Sequence, residues 1–192
     1  MKIYDMKVNH LTNPLGFRMT RTVFSWKVKK AAGKRQTQAR IRIASDQAMT
    51  DILADTGWDA EADSLGYRVE SVLDPVTRYY WTVSVQSDAG EEAVSEVQWF
   101  ETGKGQQPWV GKWITCDSTE KRHPYFEKEI HPVKEVKRAR LYICGLGLYE
   151  AYYNEARIGR EYLTPYSNDY NEWVQYQTYD VTEQLRQGGT LS

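Results

Sequence analysis

Few side chains in this sequence of 192 residues stand at spacings that could do chemistry. Two pairs of carboxylates come first, because acid–base catalysis needs carboxyl groups held at a set distance across a reacting bond. Glu91-Glu92 sits in a turn, and Glu127 and Glu129 alternate along one extended run. Both pairs read as solvated surface charge, since nothing in the sequence around them marks a pocket. His10, His123 and His131 are scattered, whereas a zinc site needs at least three converging ligands. Cys116 has Asp117 beside it rather than a base that would favour the thiolate. Gly103-Lys-Gly105 and Gly145-Leu-Gly147 lack the strand-to-helix setting in which backbone N–H groups cradle a phosphate. No residue is therefore assigned a catalytic role, and no metal or cofactor is expected.

The aromatic residues offer more. From Tyr149 to Tyr179 the sequence carries eight tyrosines and one tryptophan, Trp173. Aromatic faces suit the C–H faces of pyranose rings, and a tyrosine hydroxyl can also bond sugar hydroxyls. The plainer account is that Tyr and Trp are ordinary strand residues packed in a core or against a neighbouring domain. If any of them meets a sugar, the expected contacts are Trp173, Tyr170 and Tyr166, with Trp173 foremost because it lies in a polar loop after Asn171-Glu172.

Short strands must position these groups, because period-two alternation dominates the sequence. Phe24, Trp26 and Val28 share one face of a run. Ala39, Ile41 and Ile43 share another, with Arg40 and Arg42 opposite. Tyr79, Trp81, Val83 and Val85 alternate with Tyr80, Thr82, Ser84 and Gln86, which predicts a central strand. A turn over residues 87–90 and a return strand running to Gly103 follow. Residues 45–62 mix Met49, Ile52, Leu53 and Trp58 with Gly57 and many acids, and read as a loop with at most one or two helical turns. Residues 103–108 read as a linker. Beyond it, strands are expected over 109–116, 125–130, 137–144, 148–154 and 175–181, with turns at 117–124, 145–147 and 154–157 and one helical turn over 181–185.

Composition excludes several roles. Lys and Arg total 25, Asp and Glu total 26, and the net charge is −1 with both signs scattered, so there is no electrostatic reason to bind nucleic acid or an anionic membrane. Cys116 and Cys144 form no disulfide framework and read as free thiols of a reducing compartment. The first seventeen residues lack the apolar run of a signal peptide, so a cytoplasmic location is expected. The sequence stops at Gly188-Gly-Thr-Leu-Ser192, before a jelly-roll sandwich of roughly eight strands could close. The expectation is the front piece of a longer polypeptide that self-associates, swaps strands, or is disordered after about Gln187.

An ordered series of phrases resembles the N-terminal region of bacterial α-L-rhamnosidases of glycoside hydrolase family 78. It runs through Asn13-Pro-Leu-Gly16, Phe24-Ser-Trp26, Thr77-Arg-Tyr-Tyr-Trp81, Phe100-Glu-Thr-Gly103, Lys112-Trp-Ile114 and Ala139-Arg-Leu-Tyr-Ile143. It continues through Tyr149-Glu-Ala151, Leu163-Thr-Pro165, Asp169-Tyr170 and residues 176–182. Leu73, Pro75, Thr77 and Tyr79 also resemble the corner of fibronectin type III and immunoglobulin-like sandwiches, where a Tyr hydroxyl bonds back to the upstream backbone. Two departures stand out. Asn154-Glu155 occupies the place of an Asn-Gly turn, which predicts Asn154 at positive φ. Gly188-Gly189-Thr190 replaces the usual Gly-Glu-Asn.

The resemblance implies an all-β fold: a fibronectin type III or immunoglobulin-like sandwich over residues 1–104, then part of a carbohydrate-binding-like jelly-roll sandwich over residues 105–192. It implies a parent that hydrolyses terminal α-L-rhamnosides with inversion, using an acid and a base on opposite faces of the sugar. Those carboxylates belong to a later helical barrel, so this chain alone is expected to be an inactive accessory piece partnered by the remaining domains. Two other readings stay open. One is a freestanding module that binds rhamnose-containing glycans, and the other is a protein-interaction module of the fibronectin type.

Overall fold

Alternation buries one whole face of the run Arg78–Ser87: Tyr79, Trp81, Val83 and Val85 are all 2% exposed or less. Thr82 and Ser84 on the opposite face are buried as well, as expected for a strand flanked on both sides. The computed structural model describes residues 1–117 and 123–192, which divide into two units, Met1–Pro108 and Trp109–Ser192.

The first unit has nine strands: β1 (Lys2–Val8), β2 (Leu15–Phe17), β3 (Thr22–Lys29), β4 (Gln36–Ala44), β5 (Ile52–Asp55), β6 (Tyr67–Val69), β7 (Arg78–Ser87), β8 (Glu92–Val94) and β9 (Gln98–Thr102). They form two sheets, β1-β3-β6 and β2-β9-β7-β4-β5, the second with β8 also paired to β7. Both neighbours of β7 are antiparallel, with Ile41 opposite Val83 on one side and Tyr79 opposite Phe100 on the other. The core lies between the sheets. Phe24 packs on Trp81 at a centroid distance of 4.6 Å and on Phe100 at 6.2 Å. The indole of buried Trp26 donates to Gln36 Oε1 at 3.0 Å, and Gln36 Nε2 donates in turn to the Ala62 carbonyl at 2.7 Å, so its one polar atom is satisfied.

Two side chains tie the end of this unit together. Tyr79 closes the expected corner, its hydroxyl accepting from the Asp74 N–H at 2.7 Å. Thr102 Oγ1 accepts from the Thr77 N–H at 3.0 Å and donates to the Asp74 carbonyl at 2.6 Å. Beside them Glu101, 1% exposed, pairs with Arg78 at 3.1 Å, and the Arg78 guanidinium lies 4.0 Å from the Trp99 ring centroid. Residue 103 still belongs to this frame, since the Gly103 N–H donates to the Phe17 carbonyl at 2.8 Å.

The stretch over residues 45–62 holds no helical turn, and it is not loop throughout, because it contains β5. Asp46 accepts from the Thr50 and Asp51 N–H groups at 3.0 and 2.7 Å, which reverses the chain before a helix can start. Strand β5 then pairs with β4, Ile43 opposite Ala54, and Arg40 Nε donates to Asp55 Oδ1 at 2.7 Å. Glu91 is likewise more than solvated charge. Its carboxylate accepts from the Ala32 and Gly33 N–H groups at 2.6 and 3.2 Å and lies 3.5 Å from the N-terminal ammonium.

The second unit has six described strands, β10 (Lys128–Ile130), β11 (Arg140–Ile143), β12 (Ala151–Tyr153), β13 (Ala156–Ile158), β14 (Gln177–Asp180) and β15 (Gly189–Leu191), and one helix, α1 (Thr182–Gln187). The sheets are β10-β15-β12-β13 and β11-β14, all antiparallel. A small core of Ala151, Tyr153, Ile158 and Val181 is backed by Leu141, Ile143, Tyr149 and Leu185.

Several expectations shift here. Residues 109–116 form no strand: Trp113 and Ile114 are 67% and 69% exposed, while Trp109 lies edge-on to Tyr176 at 5.6 Å. The turn expected over 117–124 lies for the most part outside the described residues. Asn154 has φ 46° as expected, and Glu155 follows at φ 67°. The chain is ordered past Gln187, because α1 is followed by β15, in which Glu129 faces Thr190 and Tyr153 faces Leu191. The Gly188-Gly189 departure explains the reversal. Both have positive φ, and a Cβ on Gly189 would fall 2.0 Å from Asn154 Oδ1, the atom that accepts from the Thr190 N–H at 2.9 Å.

Candidate functional site

The three expected contact residues lie on the loop between β13 and β14 and are each about half exposed or more: Tyr166 63%, Tyr170 51%, Trp173 52%. Hydrogen bonds fix the loop from within. The Asp169 carbonyl accepts from the Glu172 and Trp173 N–H groups at 2.9 Å each, and its carboxylate accepts from the Asn171 N–H at 3.1 Å. Asn168 Nδ2 donates to the Tyr166 carbonyl at 2.7 Å, and Asn168 Oδ1 accepts from the Gln175 N–H at 3.3 Å. One turn thus carries Tyr170 and Trp173, and Asn168 ties Tyr166 to it. Among the described residues, none of these three rings pairs with another ring.

Several of the other tyrosines serve the framework. Tyr153 is buried, and Tyr149 and Tyr179 pack against the same core. The Tyr149 hydroxyl donates to Gln177 Oε1 at 2.6 Å, and burial pushes both the Tyr149 and Tyr179 hydroxyls above the ordinary phenol value. Tyr142 and Tyr176 have ring centroids 6.1 Å apart. Of the histidines, His131 lies 3.3 Å from Glu129, and no cluster of three or more metal-ligating side chains occurs among the described residues.

One concavity was not legible in the sequence. Tyr125, Glu127, Tyr152, Asn154, Glu155, Thr190 and Ser192 line a cleft of about 590 Å³ where β10, β12 and β15 meet. It contains none of Tyr166, Tyr170 and Trp173. Of its lining, the sequence singles out Glu127 only as half of an acidic pair, because the cleft exists only once three separate strands pair. Its carboxylates, carboxamide and hydroxyls make a hydrogen-bonding surface, and Tyr152 Oη already donates to Glu150 Oε2 at 2.5 Å. A smaller groove of about 250 Å³ in the first unit is lined by Asp55, Thr56, Tyr67, Arg68 and Glu70.

A corner-tied sandwich followed by a short jelly-roll-like unit is a recognisable order of domains. Residues 3–106, more than half of the chain, match the family described as the Rha78A-like, N-terminal immunoglobulin domain. The chain belongs to that family. Residues 134–190 match the α-L-rhamnosidase N-terminal domain, so the second unit carries the other N-terminal domain type of these rhamnosidases. An α-L-rhamnosidase of Formosa agariphila is 29% identical over 213 aligned positions, covering 94% of this chain and 22% of the relative. One from Streptomyces avermitilis is 58% identical over 57 positions, covering 30% of this chain and 6% of the relative. The solved structure of the α-L-rhamnosidase from Dictyoglumus thermophilum superposes on the whole of this chain with a TM-score of 0.87 at 31% identity, over 24% of its own length. The chain therefore spans about a quarter or less of the rhamnosidases it matches.

Proposed function

We propose that this chain is the non-catalytic N-terminal accessory region of an α-L-rhamnosidase-type glycoside hydrolase. The parent hydrolyses terminal α-L-rhamnosides with inversion, through an acid and a base carried elsewhere in the polypeptide. The observation that carries this reading is the ordered match of both N-terminal domain types within a chain that spans only 22% and 24% of two of its relatives. The role of the region is structural: the two units brace the remaining domains. The free thiols Cys116 and Cys144 fit a cytoplasmic parent. The test is an aryl α-L-rhamnoside assay on the 192-residue chain and on the natural full-length protein. Turnover is expected only from the latter, and turnover by the 192-residue chain would overturn the reading.

A second reading rests on the loop over residues 166–173, in which a turn fixed by its own hydrogen bonds carries Tyr170 and Trp173, with Tyr166 tied to it through Asn168. Such rings are half-ready to stack on rhamnose-containing glycans. Titration calorimetry with L-rhamnose separates the two. Saturable binding lost in Trp173→Ala would favour a carbohydrate-binding module, and no heat at millimolar sugar would favour the brace.

A further inference from the structure

The isolated bridge between Tyr149 and Thr164 organises an outward face on the second unit. The Tyr149 N–H donates to the Thr164 carbonyl at 2.8 Å, antiparallel, and Thr164 is 4% exposed. Side chains alternate along extended backbone, so inward Tyr149 turns its neighbour Leu148 outward, and Leu163, next to buried Thr164, is exposed as well. Leu148 is 67% exposed and Leu163 73% exposed. Beside them Tyr162 lies over the Arg157 guanidinium at 4.3 Å, and Arg157 pairs with Glu150 at 3.4 Å. Tyr162 and Arg157 are of the residue types enriched at protein interfaces, and two exposed leucines flank them.

Leu163 adds an argument of its own. Its φ is 57°, in the left-handed region where Asn and Gly are at ease and a leucine is strained. A strained residue persists when something holds it there. Within this unit the leucine gains little, since most of its side chain is in water. An exposed leucine in that conformation makes sense when its side chain is buried against something outside the unit.

We propose that the face carrying Leu148, Tyr162 and Leu163 docks onto an apolar surface of the polypeptide outside residues 1–192. This rests on the reading that the chain belongs to a longer rhamnosidase-type protein. The relatives supply the occupant, because more than three-quarters of their length lies outside the part matched here. Leucine side chains also offer a polyol nothing to hydrogen-bond, which argues for protein over sugar at this face.

A photo-crosslinking residue in place of Leu148, in the natural full-length protein, tests it. The expected product is an intrachain crosslink to a peptide outside residues 1–192, with its yield cut several-fold by Leu163→Asn. The same Leu163→Asn change in the 192-residue chain should leave its thermal midpoint unchanged or raised, since Asn relieves the left-handed strain. A crosslink between two copies, no crosslink outside residues 1–192, or a yield indifferent to Leu163→Asn would each overturn the proposal. Rhamnoside turnover is measured on the same protein: turnover without the crosslink overturns the docking face alone, and the crosslink without turnover overturns the functional reading alone.

Discussion

The Tyr79 hydroxyl accepts a hydrogen bond from the backbone N–H of Asp74 at 2.7 Å, while its ring, 2% exposed, packs 5.5 Å from Phe100. One side chain thus joins the loop entering β7 to the centre of the sandwich. Tyr79→Phe keeps the ring and removes the acceptor from a partly buried N–H. The expected loss is about 1–2 kcal/mol in urea unfolding of the first unit. Tyr79→Ala also opens a cavity and should cost roughly 3–5 kcal/mol. A Tyr79→Phe protein as stable as the wild type would remove the corner from the account of this fold.

The turn between β12 and β13 makes the opposite prediction, a gain. Asn154 and Glu155 have φ of 46° and 67°, the double left-handed geometry of a tight hairpin in which the second residue is best as glycine. Glu155 holds that geometry with a Cβ present. Glu155→Gly should therefore stabilise the second unit by about 0.5–1 kcal/mol. Gly189→Ala, whose Cβ would meet Asn154 Oδ1 at 2.0 Å, should destabilise it. Thermal melts of the two variants should shift in opposite directions, and a Glu155→Gly protein that melts lower would show that the glutamate contributes something the turn geometry omits.

What was legible in the sequence was whatever one strand decides alone. Tyr79, Trp81, Val83 and Val85 announce a central strand because all four are buried on one face. The corner was legible because its residues are close in the chain. Strand β5 was not, since Ile52 and Leu53 are both exposed and leave no alternation to read. The turn before it is set by the Asp46 carboxylate bonding to backbone, a local choice that helix and strand periodicities do not register. Residues 109–116 show the reverse failure: their large apolar residues suggest a strand, but a strand also needs a partner edge, and residue type alone does not supply one. The cleft was illegible for a third reason. It gathers Tyr125 from before β10, Tyr152 from β12 and Thr190 from β15, so no window of sequence contains it.

The two thiols should behave differently. Cys116 is exposed, whereas Cys144 is partly buried and its Sγ lies 3.2 Å from the Gln175 carbonyl, with burial pushing its thiol up from the ordinary value. Since the thiolate is the reactive form, Cys144 loses both access and nucleophile. An aromatic disulfide reagent under native conditions should label one thiol fast and the second slowly, with Cys116→Ser removing the fast phase. Two equal fast phases would contradict the placement of Cys144 beside Gln175.

Acid should melt the first unit by way of identifiable carboxylates. Hydrogen bonds from Lys27 and Lys7 hold Asp5 below its ordinary value, and Arg40 does the same for Asp55. Backbone N–H groups of Gly33 and Ala32 lower Glu91, and those of Asp51 and its neighbours lower Asp46. In the unfolded chain these groups titrate near pH 4. A carboxyl group whose folded value is depressed stabilises the fold fully above its unfolded value and loses that contribution as the pH drops through the folded one. The thermal midpoint should therefore be nearly flat from about pH 5 to 8 and fall steeply below about pH 4. Glu91→Gln should lower the midpoint at neutral pH and flatten the acid limb, because its charge no longer contributes in the first place. Raising the salt concentration should weaken the exposed Asp5–Lys27 pair while leaving the backbone-anchored Glu91 and Asp46 largely intact. An acid limb abolished by salt would assign it to the lysine pairs alone, and a midpoint constant down to pH 2 would remove these carboxylates from the stability of the sandwich.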